Sequence, residues 1–405
     1  MKICLISNLY APYQRGGAEQ VVKNTVEGLI SSGFEVIIIT ASPIGGLKNE
    51  FLPNRKLKIF RFYPANLFFY GYDYKYPAWI RFFWHILDMF NLYSYFKVRW
   101  ILRREQPRLA HTHNLKGLGY LIPLAIRHEK IFHVHTLHDV QLITPSSIII
   151  KGEEDKALFN FFPRQWYEKI TKFLFDSPDV IISPSNFLLD FYSKRGFFPN
   201  SKKVVIPNPV MEIINGAVSA NDELTRKNFN FLYVGQVEEH KGILFLIQAF
   251  KKLISQKNEG DGAILHIVGS GSKLLKAKQL ADGTPQIVFH GRLEHKEIAK
   301  FFSRADITVV PSLCYENSPT VIFESFSFAV PVLASSIEGV AELIKDGENG
   351  ITFEAGIIDS LVEKMRWCVK DPEKVLMMRR AAVESAKGRG LSQYIDKIVK
   401  LCYNV

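Results

Sequence analysis

Cysteine is scarce in this chain: four residues, Cys4, Cys314, Cys368 and Cys402, with no CxxC pair among them. That spacing argues against a zinc knuckle or a disulfide framework and suits a reducing compartment. Long apolar runs are lacking as well. The first residues, MKICLISNLYAPY, carry one lysine and a short apolar run that reads as a strand, too short for the core of a signal peptide. The expected location is therefore cytoplasmic. Low-complexity tracts and internal repeats are absent, and so is any DxD triplet. What remains is a globular composition, 47% hydrophobic and 22% charged over 405 residues, enough for two or three domains with full cores.

Charge is the first positive signal. The formal net charge is +11, and much of it lies between Phe51 and Leu109, where eleven Lys and Arg face only Asp73, Asp88 and Glu105. The same region holds NLFFYGYDYKYPAWIRFFWHILDMFNLYSYF, crowded with aromatics. Basic and aromatic residues together suit an anionic membrane surface, met peripherally on its inner face. The run does not span a bilayer, because Arg81, Asp88 and Lys97 interrupt it. A solvated basic face over an aromatic core is the plainer alternative. Nucleic acid is disfavoured, because this charge lies outside the loops that follow strands.

Those loops belong to two halves that each alternate strand and helix. In the first, KICLIS, FEVIIIT, RLAHTH, IFHVHTLH and DVIISPS read as strands. AEQVVKNTVEGLISSG is a helix with Val22, Val26, Leu29 and Ile30 on one face and Gly33 as its stop. SNFLLDFYSKRG is another, with Ser185 as N-cap and Gly196 as stop. Residues 211–228 are polar and irregular, as a linker should be. The second half offers FNFLYVG, AILHIVG, QIVFHG, ITVVPS and VPVLAS as strands. Apolar strands alternating with helices imply two parallel sheets covered on both faces, with ligands beyond the carboxyl ends of the strands. The domains expected are 1–207, completed by 390–405, and 208–389, facing each other across a cleft.

The stretch YENSPTVIFE places Glu316 in the loop after a strand and Glu324 about one turn into the next helix. Pro319 suits the first turn of that helix, and the N–H groups near Ser318, Thr320 and Val321 offer an anion such as a diphosphate a place to bind. The two carboxylates can accept hydrogen bonds from sugar hydroxyls. Two surface glutamates near a helix N-terminus would be the ordinary alternative. Further loops strengthen the first reading. VGQVEEHKG puts Lys241 six residues after Gly235, within reach of a diphosphate, and Gly269 and Gly271 permit close backbone approach. YQRGGAEQVV sets Gly16 and Gly17 at a helix start.

Taken together these motifs resemble the retaining GT-B glycosyltransferases of sequence family 4, the group 1 glycosyltransferases. The resemblance runs through RGGAE, IISPSNFLLDFYSKRG, VVIPNPV, VGQ…HKG, the Glu316-x7-Glu324 pair and VPVLASSIEGVAELIKDGENGITF, in that order. It implies an α/β GT-B fold of two Rossmann-like parallel-sheet domains, and a sugar donor linked to a nucleotide diphosphate, UDP or GDP. Glu324 would bind the ribose and Glu316 the hydroxyls of the transferred sugar. Lys241 would bind the diphosphate, approached by Gly16 and Gly17, with Gln236, Gly269, Ser318, Pro319 and Thr320 completing the donor site. His138, in TLHD, would be the active-site histidine. Gln236 stands where the family usually has arginine, so a hydrogen-bond donor replaces a charge there.

HTH and HVHTLHD also supply two HxH pairs, His111 with His113 and His133 with His135. Strand alternation puts each pair on one face, which makes a metal site conceivable, though no third ligand has a fitting spacing. The absent DxD suits a transferase without metal or cofactor. The expected function is transfer of a hexose to a carbohydrate or lipid-linked acceptor in cell-surface glycan synthesis. A sugar-nucleotide epimerase or phosphorylase on the same fold, and a non-catalytic membrane- or polysaccharide-binding module, are the alternatives.

Overall fold

In the computed structural model, residues 1–14, 16–152, 162–209, 228–256 and 260–403 are described, so Arg15 and nearly all of the linker read over 211–228 lie outside the described residues. Two compact units form. The first comprises Met1–Ile148, Asp155–Pro209 and Leu391–Val405, and the second Ile149–Glu154 and Val210–Gly390.

The first unit is built on β1 (Lys2–Ile6), β2 (Glu35–Ala41), β3 (Glu50–Leu52), β4 (Leu57–Phe62), β5 (Leu109–Thr112), β6 (Phe132–Thr136), β7 (Val180–Ser183) and β8 (Lys202–Val205). They lie in the order β3-β4-β2-β1-β5-β6-β7-β8. All neighbours are parallel except the edge pair β3 and β4. Central strands such as CLI in β1 and VIII in β2 are apolar throughout because helices cover both faces. Those helices are α1 (Gly17–Ser31), α2 (Ala78–Met89), α3 (Leu92–Glu105), α4 (Ile122–His128), α5 (Phe162–Phe175) and α6 (Asn186–Ser193). Ser185 caps α6, accepting the Leu188 N–H at 3.2 Å.

The second unit holds β9 (Phe229–Val234), β10 (Ala263–Val268), β11 (Ile287–Gly291), β12 (Ile307–Val310), β13 (Val332–Ser335) and β14 (Gly350–Phe353), in the order β11-β10-β9-β12-β13-β14. Its helices are α7 (Ile243–Ser255), α8 (Leu274–Leu280), α9 (His295–Phe302), α10 (Thr320–Ser327), α11 (Ile358–Lys370) and α12 (Pro372–Ala386). Phe231, Ile267 and Leu333 from the sheet pack with Phe250 and Met365 into one core.

Each sheet reverses its winding once. In the first unit the reversal falls between β1 and β5, in the second between β9 and β12. At such a switch point the outgoing loops leave in opposite directions and open a crevice at the carboxyl ends of the strands. No helix among the described residues is long and apolar enough to cross a membrane.

The last helix, α13 (Leu391–Tyr403), belongs to the first unit. Tyr394, Ile395 and Ile398 are buried in its core with Val22, Val26 and Leu29 of α1. Gly28 permits this approach, since a Cβ there would stand 2.3 Å from the Ile395 side chain. Ile395→Ala is therefore expected to cost about 2–5 kcal/mol of first-unit stability, read as a lower urea midpoint for a probe in that unit. An unchanged midpoint would show that α13 contributes no buried contact of consequence.

Candidate active site

Past the ends of β9 and β12 the chain builds the second unit's switch-point crevice. After β9 it turns through Gly235 and the exposed Gln236 into a single 3-10 turn, Glu239–Lys241. Gly242 ends that turn with φ +73°, and a Cβ there would lie 1.8 Å from the Pro311 carbonyl oxygen. Only glycine fits that left-handed, crowded position. Leu313 N–H donates to the His240 carbonyl at 2.9 Å, which ties the loop after β12 to the turn.

Lys241 and Glu316 meet there. The ammonium lies 2.5 Å from Glu316 Oε1, and the Ser312 hydroxyl donates to the same oxygen at 2.8 Å. The side chains are 29% and 12% exposed. Burial works against the lysine charge, but the facing carboxylate outweighs it and raises the Lys241 pKa. The lysine is thus firmly charged at neutral pH.

Four residues beyond Glu316, α10 begins at Thr320, with Pro319 as its N-cap rather than in its first turn. Ile322 N–H makes the first backbone hydrogen bond, to the Pro319 carbonyl at 3.1 Å. Thr320 and Val321 lie in the first turn, where helical N–H groups have no intrahelical partner and the dipole favours an anion. Ser318 is buried and Glu324 half-buried, one turn into the helix. Gly269, after β10, has φ +146° and sits where a Cβ would be 1.8 Å from the Gly235 carbonyl oxygen. Gln236, Lys241, Gly269, Glu316, Ser318, Pro319, Thr320 and Glu324 thus all lie on the loops after β9, β10 and β12 or in the helix that follows. A strap from earlier in the chain joins them. Tyr315 N–H donates to the Ile149 carbonyl at 2.9 Å, and Lys151 Nζ to the Ser336 carbonyl at 2.6 Å.

The first unit carries the remaining candidates. Gly16 caps α1, and its N–H donates to the Glu19 carboxylate at 2.7 Å. Gly17 opens the helix. A carboxylate therefore already sits at the helix start expected to approach a diphosphate. His138 follows β6, half-buried, with Nε2 2.9 Å from His113 Nδ1. Around it lies a polar network that the motif reading passed over. Asn114 donates to Asp139 at 3.0 Å, Gln141 donates to Asn114 at 2.6 Å, and Asn8 donates to the Lys116 carbonyl at 2.7 Å. Asn8 follows β1 and Asn114 follows β5, so the network spans this unit's own switch point. Asp139 directly after His138 at a strand end was the available signal.

The HxH pairs do not converge. Thr112 bonds His133 at 2.7 Å and His135 at 2.8 Å on one face of the sheet. His111, bonded to Thr136 at 2.7 Å, and His113 occupy the other face. Alternation along β5 and β6 thus divides the four rings between opposite faces, and the metal reading loses its ligand set. No group of three potential His, Cys, Asp or Glu ligands occurs among the described residues.

Burial drives these imidazoles neutral. It lowers His111 and His133 to about 3 and His138 to about 4, and it holds His113 and His135 well below their usual value. Between roughly pH 4 and 6.5 the unfolded chain binds protons that these five folded histidines refuse, so stability falls as pH falls. Asp88 and Asp139, raised to about 7 and about 6 by burial, act in the opposite sense. Two groups do not offset five. The urea midpoint of the first unit is expected to drop between pH 7 and pH 5, and a flat profile would contradict the burial of this cluster.

The family model Glycosyltransferase Family 4 matches residues 15–211, and Glycosyl transferases group 1 matches residues 219–385. An uncharacterized 42.6 kDa protein in the cps region of Klebsiella pneumoniae is 27% identical, over 85% of this chain and 87% of its own. The UDP-Gal:alpha-D-GlcNAc-diphosphoundecaprenol alpha-1,3-galactosyltransferase of Escherichia coli is 26% identical, over 78% of this chain and 79% of its own. The solved structure of sucrose-phosphate synthase from Thermosynechococcus elongatus superposes with a TM-score of 0.76 at 18% identity, covering 100% of this chain and 98% of that one. With two parallel-sheet units and a family model matched in each half, the chain belongs to the group 1 glycosyltransferases of the GT-B fold.

Proposed function

We propose that the protein transfers a hexose from a nucleotide-diphosphate sugar, UDP- or GDP-linked, to a carbohydrate or lipid-linked acceptor in cell-surface glycan synthesis. The reading includes retention at the anomeric carbon and independence of a metal ion. The observation that carries it is the Lys241–Glu316 pair in the β9/β12 crevice, four residues ahead of the α10 N-terminus. A diphosphate suits the charged Lys241 and the first N–H groups of α10. Glu324, one turn in, is read as the ribose ligand, and Glu316 as the ligand of the transferred sugar's hydroxyls. His138, neutral at pH 7, is read as a hydrogen-bond partner of that sugar rather than a cation. In the reaction the bond from the anomeric carbon to the diphosphate oxygen breaks. The acceptor oxygen bonds to the same carbon on the same face, and its proton passes to the departing diphosphate.

The relative named for UDP-Gal and a diphosphoundecaprenol-linked acceptor supports both the donor class and a lipid-linked acceptor. A lipid-linked acceptor would be met at an anionic membrane surface, in the cytoplasm, on the inner face. Three buried free thiols, Cys4, Cys314 and Cys368, suit that compartment.

Glu324→Ala is expected to weaken donor binding about tenfold to a hundredfold, the loss of one hydrogen bond to a charged group. Glu316→Gln should act mainly on turnover. Titration calorimetry with UDP- and GDP-sugars reads the first, and equal affinity in Glu324→Ala and wild type would refute the ribose assignment. Activity is also expected to persist in EDTA. Loss in chelator, restored by magnesium or manganese, would overturn the metal-independent reading.

A further inference from the structure

Helix α2 is amphipathic in the wrong sense for a covered helix. Its inward side holds Trp84, fully bonded through Nε1 to the Phe68 carbonyl at 2.7 Å, and the buried Asp88, which accepts the Gly117 N–H at 2.7 Å. His85 lies between them, half-buried. The polar groups therefore face the protein. The outward side carries Trp79, Phe82, Phe83 and Ile86, at helical spacing, with the first three 66%, 55% and 54% exposed. Rotating the helix to hide these rings would break the Asp88 and Trp84 bonds. On α3, Phe96 and Trp100 are exposed as well.

Exposed rings clustered in this way mark an interaction surface. Its charge selects the partner. From Tyr63 to Arg108 the acids are Asp73, Asp88 and Glu105, and the last two are buried. On α3 Arg104 is exposed, four residues from Trp100. Lys97 Nζ and Arg104 Cζ lie 5.1 Å and 5.4 Å from the Trp100 ring centre, and Lys75 Nζ lies 4.9 Å from that of Tyr72. Aromatic rings with cations over their faces suit the boundary between headgroups and acyl chains.

We propose that the outward face of α2 and α3 is a membrane-docking surface, with the aromatic side chains seated among the acyl chains of an anionic bilayer and Lys97 and Arg104 at its headgroups. The inference deepens the acceptor reading above, and rests on it for its purpose: a chain docked there meets a lipid-linked acceptor in the membrane plane. Binding itself is measured without turnover, so the two can fail separately.

The test is co-sedimentation with vesicles of phosphatidylcholine alone, or with one third phosphatidylglycerol. Wild type is expected to bind the anionic vesicles at least tenfold more tightly than the neutral ones, and more weakly as salt rises. Phe82→Ser with Phe83→Ser should reduce binding at every salt concentration. Lys97→Glu with Arg104→Glu should remove the salt-sensitive part. All four residues lie at or near the surface, so unfolding midpoints and UDP-sugar affinity by calorimetry should match wild type. Failure of wild type to sediment with anionic vesicles at low salt would overturn the proposal. So would a dimer in sedimentation velocity that Phe82→Ser with Phe83→Ser converts to a monomer, since the face would then cover a second copy. Vesicle binding by a chain that transfers no sugar would overturn the transferase reading and leave the docking surface standing.

Discussion

Strands β9 and β12 hold register over only two residue pairs, Ile307 with Phe231 and Thr308 with Leu232, whereas β9 and β10 stay paired from Ala263 to Val268. The early parting of β9 and β12 is what the second unit's site depends on. Beyond Thr308 and Leu232 no ladder closes the gap, and the crevice is lined by what the two strands release, Lys241 from one side and Glu316 from the other. A lysine in so enclosed a place is held charged by the carboxylate facing it.

Much of this is legible in the sequence because it is local. Apolar strands ending in glycine or Pro-Ser, the Ser185 cap and the Gly33 stop are all decided within a few residues, and the structure has them where the pattern puts them. The edges are harder. KKVV in β8 is half-exposed and lysine-led, and β3 is a three-residue strand paired only with β4. Neither has the apolar run that a central strand needs. The Lys241–Glu316 contact is illegible for another reason. The residues stand 75 apart in sequence, and the reading gave them separate ligands because nothing local says they touch. Helix α2 is the converse case. Its aromatic crowding is plain, but which side faces out depends on Asp88 finding Gly117.

The histidines show how pleat overrides motif. Two HxH pairs look like convergent ligands, yet adjacent parallel strands place one pair on each face of the sheet. Thr112 takes one nitrogen each of His133 and His135, Thr136 one of His111, and His138 one of His113. Burial then keeps the rings neutral, so the layer beside His138 is polar without being charged. A neutral imidazole can both donate and accept, which suits it to a sugar hydroxyl better than to a phosphate.

Helix α13 closes the first unit with residues that follow the whole of the second. During synthesis the second unit is complete before Leu391 exists. The α1 stripe of Val22, Val26 and Leu29 is formed early and waits for Tyr394, Ile395 and Ile398 through nearly the full length of the chain. The order of completion is thus the reverse of the order in which the units are begun: the unit started first is the unit finished last. An apolar stripe without its cover for that interval is a natural handle for chaperones.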